Sequence, residues 1–387
     1  GTRMSSSQPL FSLGELFGEI RDSPRFELQE LLGHGAYSVV CSAFDNETQT
    51  QVCIKKIANW LADTKEAMRT LREVRIMHHF AGSQYVLNLI EVLPSDDTEE
   101  YPHLFVISEQ MDSDLHTFRE KNQPIGFVER ICIIEKIARG LCELHGAKII
   151  HRDLRDKNVL VSWPRVVLCD FGMSRGLNIE PTALRLSLLE YTTRSSYSPP
   201  EGLLGSPKYS SAVDIWSLGC ILVELISGKS MLEMIKAFSP PENTLYLQVA
   251  LRLTGIPTAD EVRKCKIGAK FKHTFNETVN EINNDGLVFK DLREFVPEAT
   301  DAEVHLLKKI FVFSPTKRIS AAKMVEEIES LTNYEPQGET NQFSEFRSHE
   351  KKLKHTNRED VREAMNAFIS FCKKDMISAR KRLSLSQ

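Results

Sequence analysis

Ile149-Ile150-His151-Arg152-Asp153-Leu154-Arg155-Asp156-Lys157-Asn158, with Val166-Val167-Leu168-Cys169-Asp170-Phe171-Gly172 after it, is the stretch whose reading decides the fold. The apolar pair Ile149-Ile150 runs into a polar loop, and the apolar run 166–169 runs into Asp170 in the same way. Both have the texture of short β segments that deliver acidic groups to their ends. Asn158 and Asp170 are oxygen donors of the kind hard Mg2+ takes beside phosphate oxygens. Asp153 is suited to accept the proton of an attacking hydroxyl. Either tripeptide alone arises by chance; the two in this order, behind the features upstream of them, do not.

Upstream, Gly33-His34-Gly35-Ala36-Tyr37-Ser38-Val39-Val40 lies between two predicted strands, Phe26–Leu32 and Ser38–Phe44. A dinucleotide-binding fingerprint should instead open a helix. Glycine in such a hairpin lets backbone N–H groups approach a phosphate with no Cβ in the way, although two glycines in a hairpin are more often only a turn. Val52-Cys53-Ile54-Lys55 reads as a third strand. In isolation Lys55 is an ordinary strand-edge lysine, but a lysine there can also pair two phosphates as a point charge. Thr64 to His79 has helical spacing, with Met68, Leu71, Val74 and Met77 on one side, and Glu73 on that helix supplies a counter-charge for Lys55. Further strands are predicted at Val86–Val92 and Leu104–Ile107.

Together these motifs resemble a eukaryotic protein kinase, over residues 25–330, about four fifths of the chain. The resemblance continues through Ser198-Pro199-Pro200-Glu201 in the place of Ala-Pro-Glu, through Asp214-Ile215-Trp216-Ser217-Leu218-Gly219, and to Arg318, which in the family pairs with the glutamate matched by Glu201. It implies an α+β fold of two lobes, a small β-rich lobe with one main helix and a larger, mainly α lobe, with ATP and Mg2+ held in the cleft. Within the kinases the chain is similar to the mitogen-activated protein kinase branch of the CMGC group. Thr70-Leu71-Arg72-Glu73-Val74-Arg75-Ile76 matches that branch's Thr-Leu-Arg-Glu-Ile-Lys-Ile, and Cys169 before Asp170 recurs there. The segment 229–300, with Leu253-Thr254-Gly255-Ile256-Pro257, resembles the branch's helical insert.

The resemblance assigns Asp153, Lys55, Arg155 and Asn158 to catalysis, and Asn158 and Asp170 to Mg2+. It gives the ATP-contacting set as Leu32, Gly33, His34, Gly35, Ala36, Tyr37, Ser38, Val40, Cys53, Lys55, Glu73, Ser108, Glu109, Met111 and Asp112. Ser108 falls at the gatekeeper position before the hinge Glu109-Gln110-Met111. A serine there is small, so a back pocket open to bulky adenine-site inhibitors is expected.

Several positions depart from the family pattern. Ser38 replaces the third glycine of the loop, which should stiffen the lid modestly. Arg155 stands where Ser/Thr kinases usually carry lysine and some tyrosine kinases carry arginine. Leu189-Glu190-Tyr191 occupies the place of the Thr-x-Tyr activation motif, and its threonine is lost. Ser198 replaces the arginine that favours proline after the phosphoacceptor. In the family the phosphothreonine binds an arginine cluster through charge-assisted contacts, whose positions here are Arg69 or Arg72, Arg152 and Arg175. Either the cluster is vestigial and pairs with acids, or another group fills it: phosphorylated Ser187, Thr192 or Thr193, or Glu190. Tyr191 remains a candidate phosphosite.

The rest of the chain sets bounds. Its 387 residues exceed one small core, and 41% hydrophobic with 26% charged residues is ordinary for a globular protein. A net charge of −4 gives no global pull toward nucleic acid or anionic membrane. No window approaches a membrane span, and the start lacks the apolar region of a signal peptide; residues before Met4 read as a cloning remnant. The eight scattered cysteines show no C-x-x-C pair, so neither a disulfide framework nor a zinc site is expected.

The expected organisation is a tail 1–23, whose Leu13, Leu16, Phe17 and Ile20 are candidates for docking, a small lobe 24–111, a large lobe 112–333 and a C-terminal extension 334–387. Helices are predicted from Ile131 through Leu144 and around 212–227, 244–253 and 301–312. The extension begins with a polar linker, and Thr356-Asn357-Arg358-Glu359 reads as a capping box before a helix whose stripe is Val361, Met365, Phe368 and Cys372. In the branch such an extension wraps back onto the small lobe. The closing Ala379-Arg380-Lys381-Arg382 reads as a solvated end.

The expected function is an ATP-dependent, MAP kinase-like protein kinase acting on Ser/Thr. Expected partners are protein substrates, an upstream activating kinase and a phosphatase, with no nucleic acid and no membrane. The chain is expected to be monomeric and intracellular, in cytoplasm and nucleus. Two alternatives stay open: a pseudokinase scaffold, suggested by Ser38, Leu189 and Ser198, and a tyrosine or dual-specificity kinase, suggested by Arg155.

Overall fold

The structure is a computed structural model. It describes residues 13–21, 23–35, 38–95, 102–176, 196–206, 210–237, 245–285, 289, 291–332, 343–344, 346 and 357–384. The chain divides into two compact units, the first made of Gly1–Ser83, Leu87–Met111 and His349–Gln387, the second of Gln84–Val86 and Asp112–Ser348.

The first unit is built on an antiparallel sheet of β1 (Phe26–His34), β2 (Ser38–Asp45), β3 (Thr50–Ile57), β4 (Leu89–Pro94) and β5 (Leu104–Glu109), in the order β1-β2-β3-β5-β4. Period-two alternation sorts its side chains. Val52, Ile54, Phe105 and Ile107 enter one apolar cluster; Ile57, Leu104 and Val106 enter another. The first cluster is closed by two short N-terminal helices, α1 (Leu13–Leu16) and α2 (Gly18–Arg21), which bury Phe17 and Ile20 against Phe26, Cys41 and Ala43. The second is closed by α3 (Thr64–His79), started by Asp63, whose side chain accepts from the N–H groups of Lys65 and Glu66. Its Ala67, Leu71 and Val74 meet the sheet.

The C-terminal helix Arg358–Ser384 joins that same cluster through Val361, Met365 and Ile369, with Phe368 half-buried and Cys372 outside the cluster. Its start is one residue later than the sequence suggests. Asp360 N–H donates to Asn357 Oδ1 at 3.0 Å and Asn357 N–H to Asp360 Oδ2 at 3.2 Å, so asparagine is the cap. The strand expected at Val86–Val92 is also displaced. Leu168 N–H donates to the Tyr85 carbonyl at 2.8 Å and Val86 forms a lone bridge with Leu168, so those two residues belong to the second unit.

The second unit carries two small sheets: β6 (Ser113–Asp114), β8 (Val159–Ser162) and β9 (Arg165–Leu168) in one, β7 (Ile149–Ile150) and β10 (Arg175–Gly176) in the other. Helices make up most of the remainder: α4 (Leu115–Lys121), α5 (Phe127–Gly146), α6 (Pro200–Leu203), α7 (Ala212–Ser227), α8 (Met231–Ala237), α9 (Leu245–Thr254), α10 (Ala259–Cys265), α11 (Lys272–Asp285), α12 (Asp301–Ile310) and α13 (Ala321–Thr332). α5 starts four residues before Ile131 because Glu129 turns back to accept the Gly126 N–H at 3.1 Å. It then passes so close to β9 that a Cβ on Gly140 would stand 2.9 Å from Leu168 Cδ1.

Candidate active site

In the first unit, Lys55 leaves β3 on the face that meets α3. Its Nζ donates to both carboxylate oxygens of Glu73, at 2.8 and 3.0 Å. The two side chains are 29% and 12% exposed, so the pair is held yet open on one side. β1 and β2 pair antiparallel up to their facing ends: Gly33 pairs with Val40, His34 with Val39, and Gly35 N–H donates to the Ser38 carbonyl at 2.7 Å. Leu32 is exposed, and Ala36 and Tyr37 lie outside the described residues.

Cys53 and Ser108 are register partners across β3 and β5. Burial pushes the Cys53 thiol up to about 11, against an opposing hydrogen bond to Ser108, so it is neutral near pH 7. Ser108 is buried and also donates to the Glu109 carbonyl. Glu109 uses its side chain to accept Asn88 N–H at 2.8 Å. Met111 ends the first unit half-buried, and Asp112 begins the second with its N–H on Ser162 Oγ at 2.8 Å.

In the second unit the loop after β7 is over-determined. Buried Asp214, from the first turn of α7, accepts the N–H groups of His151 at 2.9 Å and Arg152 at 2.8 Å, and His145 Nε2 at 2.8 Å. Burial alone would raise its pKa, but the hydrogen bond and charge of His145, with His151 and Arg152 N–H, bring it below the usual carboxylate range. Arg152 has φ +70° and Asp170 φ +62°, left-handed conformations that side chains other than glycine, asparagine and aspartate rarely adopt and that cluster at functional sites. His151 locks the two strained segments together, its ring 5.2 Å from fully buried Phe171 and its Nε2 bonded to the Cys169 carbonyl at 3.0 Å.

Asn158 donates Nδ2 to the Asp153 carbonyl at 2.7 Å and to Asp153 Oδ2 at 3.3 Å, which leaves its amide oxygen as a donor atom for a cation. Asp170 is exposed, at the end of β9. Among the described residues no group of three or more His, Cys, Asp or Glu could hold a metal. Cys169 N–H donates to the Asn158 carbonyl at 3.1 Å, which brings the turn carrying Asn158 next to the residue before Asp170. Arg155 carries a buried Nε with no partner among the described residues, a donor suited to an anion.

Of the regulatory positions, Arg69 pairs with Glu66 at 2.5 Å and Arg72 is buried in α3. Arg152 donates to the Met173 carbonyl, and Arg175 sits on β10 opposite Ile150. Tyr191 lies outside the described residues, as do Ser187, Leu189, Glu190, Thr192 and Thr193.

Sequence reasoning missed what stands beneath this loop. Asp156 accepts His116 Nδ1 at 2.8 Å and Arg119 Nη2 at 3.4 Å, tying the turn that carries Asn158 to α4. Arg119 also donates to the Gly228 carbonyl at the end of α7. Close by, Glu224 of α7 accepts Tyr197 O–H at 2.6 Å and Met231 N–H at 2.7 Å. The available signal was an acid inside the otherwise apolar run Ile221–Ile226. Further along, Glu201 and Arg318 form a buried bidentate pair at 2.9 and 3.0 Å, the partnership expected from the resemblance, with Arg318 also over the Trp216 ring at 5.2 Å.

The protein kinase domain family matches residues 26–328. Among curated relatives, extracellular signal-regulated kinase 1 of Dictyostelium discoideum is 30% identical over 297 residues, 76% of this chain and 53% of its own length. Mitogen-activated protein kinase 15 of Rattus norvegicus is 31% identical over 79% of this chain and 53% of its own length. Extracellular signal-regulated kinase 2 of Dictyostelium discoideum is 31% identical over 77% of both chains. The chain spans about half the length of the first two relatives. The fold of each unit, the family match and these likenesses agree: the chain belongs to the protein kinase family, in its mitogen-activated protein kinase-like branch.

Proposed function

We propose that the chain is an ATP-dependent protein kinase that transfers the γ-phosphate of ATP to a Ser/Thr hydroxyl of a protein. The observation that supports this most is the Asn158 amide bonded to Asp153, beside an Asp170 held in a strained backbone by His151 and Cys169. Mg2+ would supply charge neutralisation at the phosphates of the nucleotide. Asn158 and Asp170 are the residues that would hold it. Lys55, fixed by Glu73, positions the phosphates, and Arg155 carries a further positive charge on the loop of Asp153. Asp153 orients the attacking hydroxyl and accepts its proton. Such a site works by positioning and charge neutralisation, with no covalent enzyme intermediate.

Glycine-loop residues Gly33, His34, Gly35 and Ser38, with Leu32, Val40, Cys53, Ser108, Glu109, Met111 and Asp112, form the proposed nucleotide-contacting set. Arg69, Arg72, Arg152 and Arg175 are the proposed phosphate-binding cluster for an activating modification, which implies an upstream kinase and a phosphatase as partners. No disulfide joins the cysteines among the described residues. No helix among the described residues is long and apolar enough to cross a membrane.

The test is phosphate transfer from Mg-ATP to a peptide array, before and after phosphatase treatment. Asp153→Asn and Asp170→Asn should each lower the rate at least about a hundredfold. Transfer unaffected by either variant would refute the assignment, and nucleotide binding without transfer would favour a scaffold. Phosphoamino-acid analysis of the products separates Ser/Thr from tyrosine specificity.

A further inference from the structure

Helices α10 and α11 and the loop that joins them border an open cavity of about 330 Å3 within the second unit. Val262, Ile267 and Phe275 make its apolar floor, and Phe275 is a buried member of the cluster that contains Leu247, Leu251 and Cys265. Arg263, Lys266, Lys272 and Asn276 make its rim. The volume lies at the small end of ligand clefts, which run roughly 300–1,000 Å3, and accommodates one bulky side chain but not a whole helix.

Charge singles the place out. Residues 259–276 hold five lysines and arginines against two acids, in a chain whose net charge is −4. Both acids are already engaged. Asp260 pairs with Arg263 at 3.2 Å and Lys264 at 2.7 Å, and Glu261 pairs with Lys317 at 3.0 Å. Lys266 and Lys272 have no carboxylate partner among the described residues. Lys266 is the C-cap of α10, in the left-handed region at φ +54°, a costly backbone for lysine that fixes where its side chain leaves the chain. An apolar hole with unneutralised cations on its rim is complementary to an apolar group flanked by carboxylates.

We propose that this cavity is a docking site for an acidic linear segment of a partner protein. One bulky apolar side chain fills the space over Phe275, and flanking Asp or Glu carboxylates meet Lys266 and Lys272. Exposed charge pairs contribute little each, so the seated side chain supplies most of the affinity and the charges set orientation and salt sensitivity. The site needs no phosphotransfer and stands apart from the proposed catalytic residues.

Fluorescence anisotropy of a fluorescein-labelled Glu-Glu-Phe-Glu-Glu peptide on the full chain tests this. The expected result is saturable binding that weakens with salt. Binding should fall at least tenfold in the double variant Lys266→Glu/Lys272→Glu, with melting temperature and transfer to a generic substrate unchanged. Asn276→Trp, which narrows the mouth without touching a charge, should weaken it as well. The proposal is overturned by equal binding of the peptide with serine for phenylalanine or by undiminished affinity in both variants. It also falls if there is no saturable binding, or if phosphatidylserine vesicles are taken up and the peptide is not.

Discussion

Glu224 takes a carboxylate into the second unit at 2% exposure, and one consequence is a pH dependence of stability. Burial, then the nearby Asp156, pushes its pKa from 4.5 up to about 7, against the Tyr197 O–H and Met231 N–H bonds that favour the charged form. A folded-state pKa above the unfolded one means tighter proton binding in the folded state. The associated stability is therefore complete below about 4.5 and is lost as pH rises through about 7. By size it is on the order of 3 kcal/mol. Glu224→Gln should flatten the melting temperature between pH 5 and pH 8 relative to the parent, in calorimetric scans at each pH. Parallel profiles would count against the protonation argument. Asp214 has the opposite sign: its depressed pKa stabilises above the ordinary carboxylate range, and that contribution disappears as pH falls below it. At this scale the chemistry-bearing residues were legible because function fixes their type and spacing. The Lys55–Glu73 pair could be read from a lysine on a strand and a glutamate on the next helix. Asp156 and Glu224 could not be paired, since their bonds to α4 and Tyr197 depend on which helices meet.

Elements were legible where periodicity is strong, and blurred where partners decide. The Thr64–His79 helix appears with those bounds because its cap and apolar stripe are both local. The C-terminal helix was readable from Val361 and Met365, whereas its start depended on Asn357 outcompeting Thr356 for the cap by geometry. Val86 was assigned to a strand by its apolar neighbours, but its backbone is drawn to Leu168 by a contact over eighty residues away, which no window can see. The N-terminal helices are each too short to persist alone and owe their order to Phe17 and Ile20 on the sheet. A prediction follows for the C-terminal helix. Met365 is fully buried between that helix and α3, so Met365→Ala removes packing and leaves a gap. The expected cost is about 2–5 kcal/mol in urea unfolding. Cys372→Ala, outside the cluster, should cost far less, and equal losses would show that the helix is not held by this stripe.

At the scale of the molecule, two compact units make a single all-or-none unfolding transition an unsafe assumption. Ligand linkage gives a cleaner measure of whether the proposed residues act on one nucleotide. A ligand that binds only folded protein stabilises by about 2.7 kcal/mol at a hundredfold excess over its Kd. Mg-ATP should therefore raise the melting temperature in proportion to the logarithm of its concentration. Lys55→Met removes the ammonium that Glu73 holds at 2.8 Å, and should shrink that shift while leaving the apo melting temperature close to the parent's. Asp170→Asn keeps an oxygen but removes the charge, so its loss should be confined to the Mg2+-dependent part, read by repeating the titration with EDTA. Loss of the nucleotide response in either variant would tie that residue to nucleotide binding. A response that survives both, or none in the parent, would separate the family membership of the chain from nucleotide use.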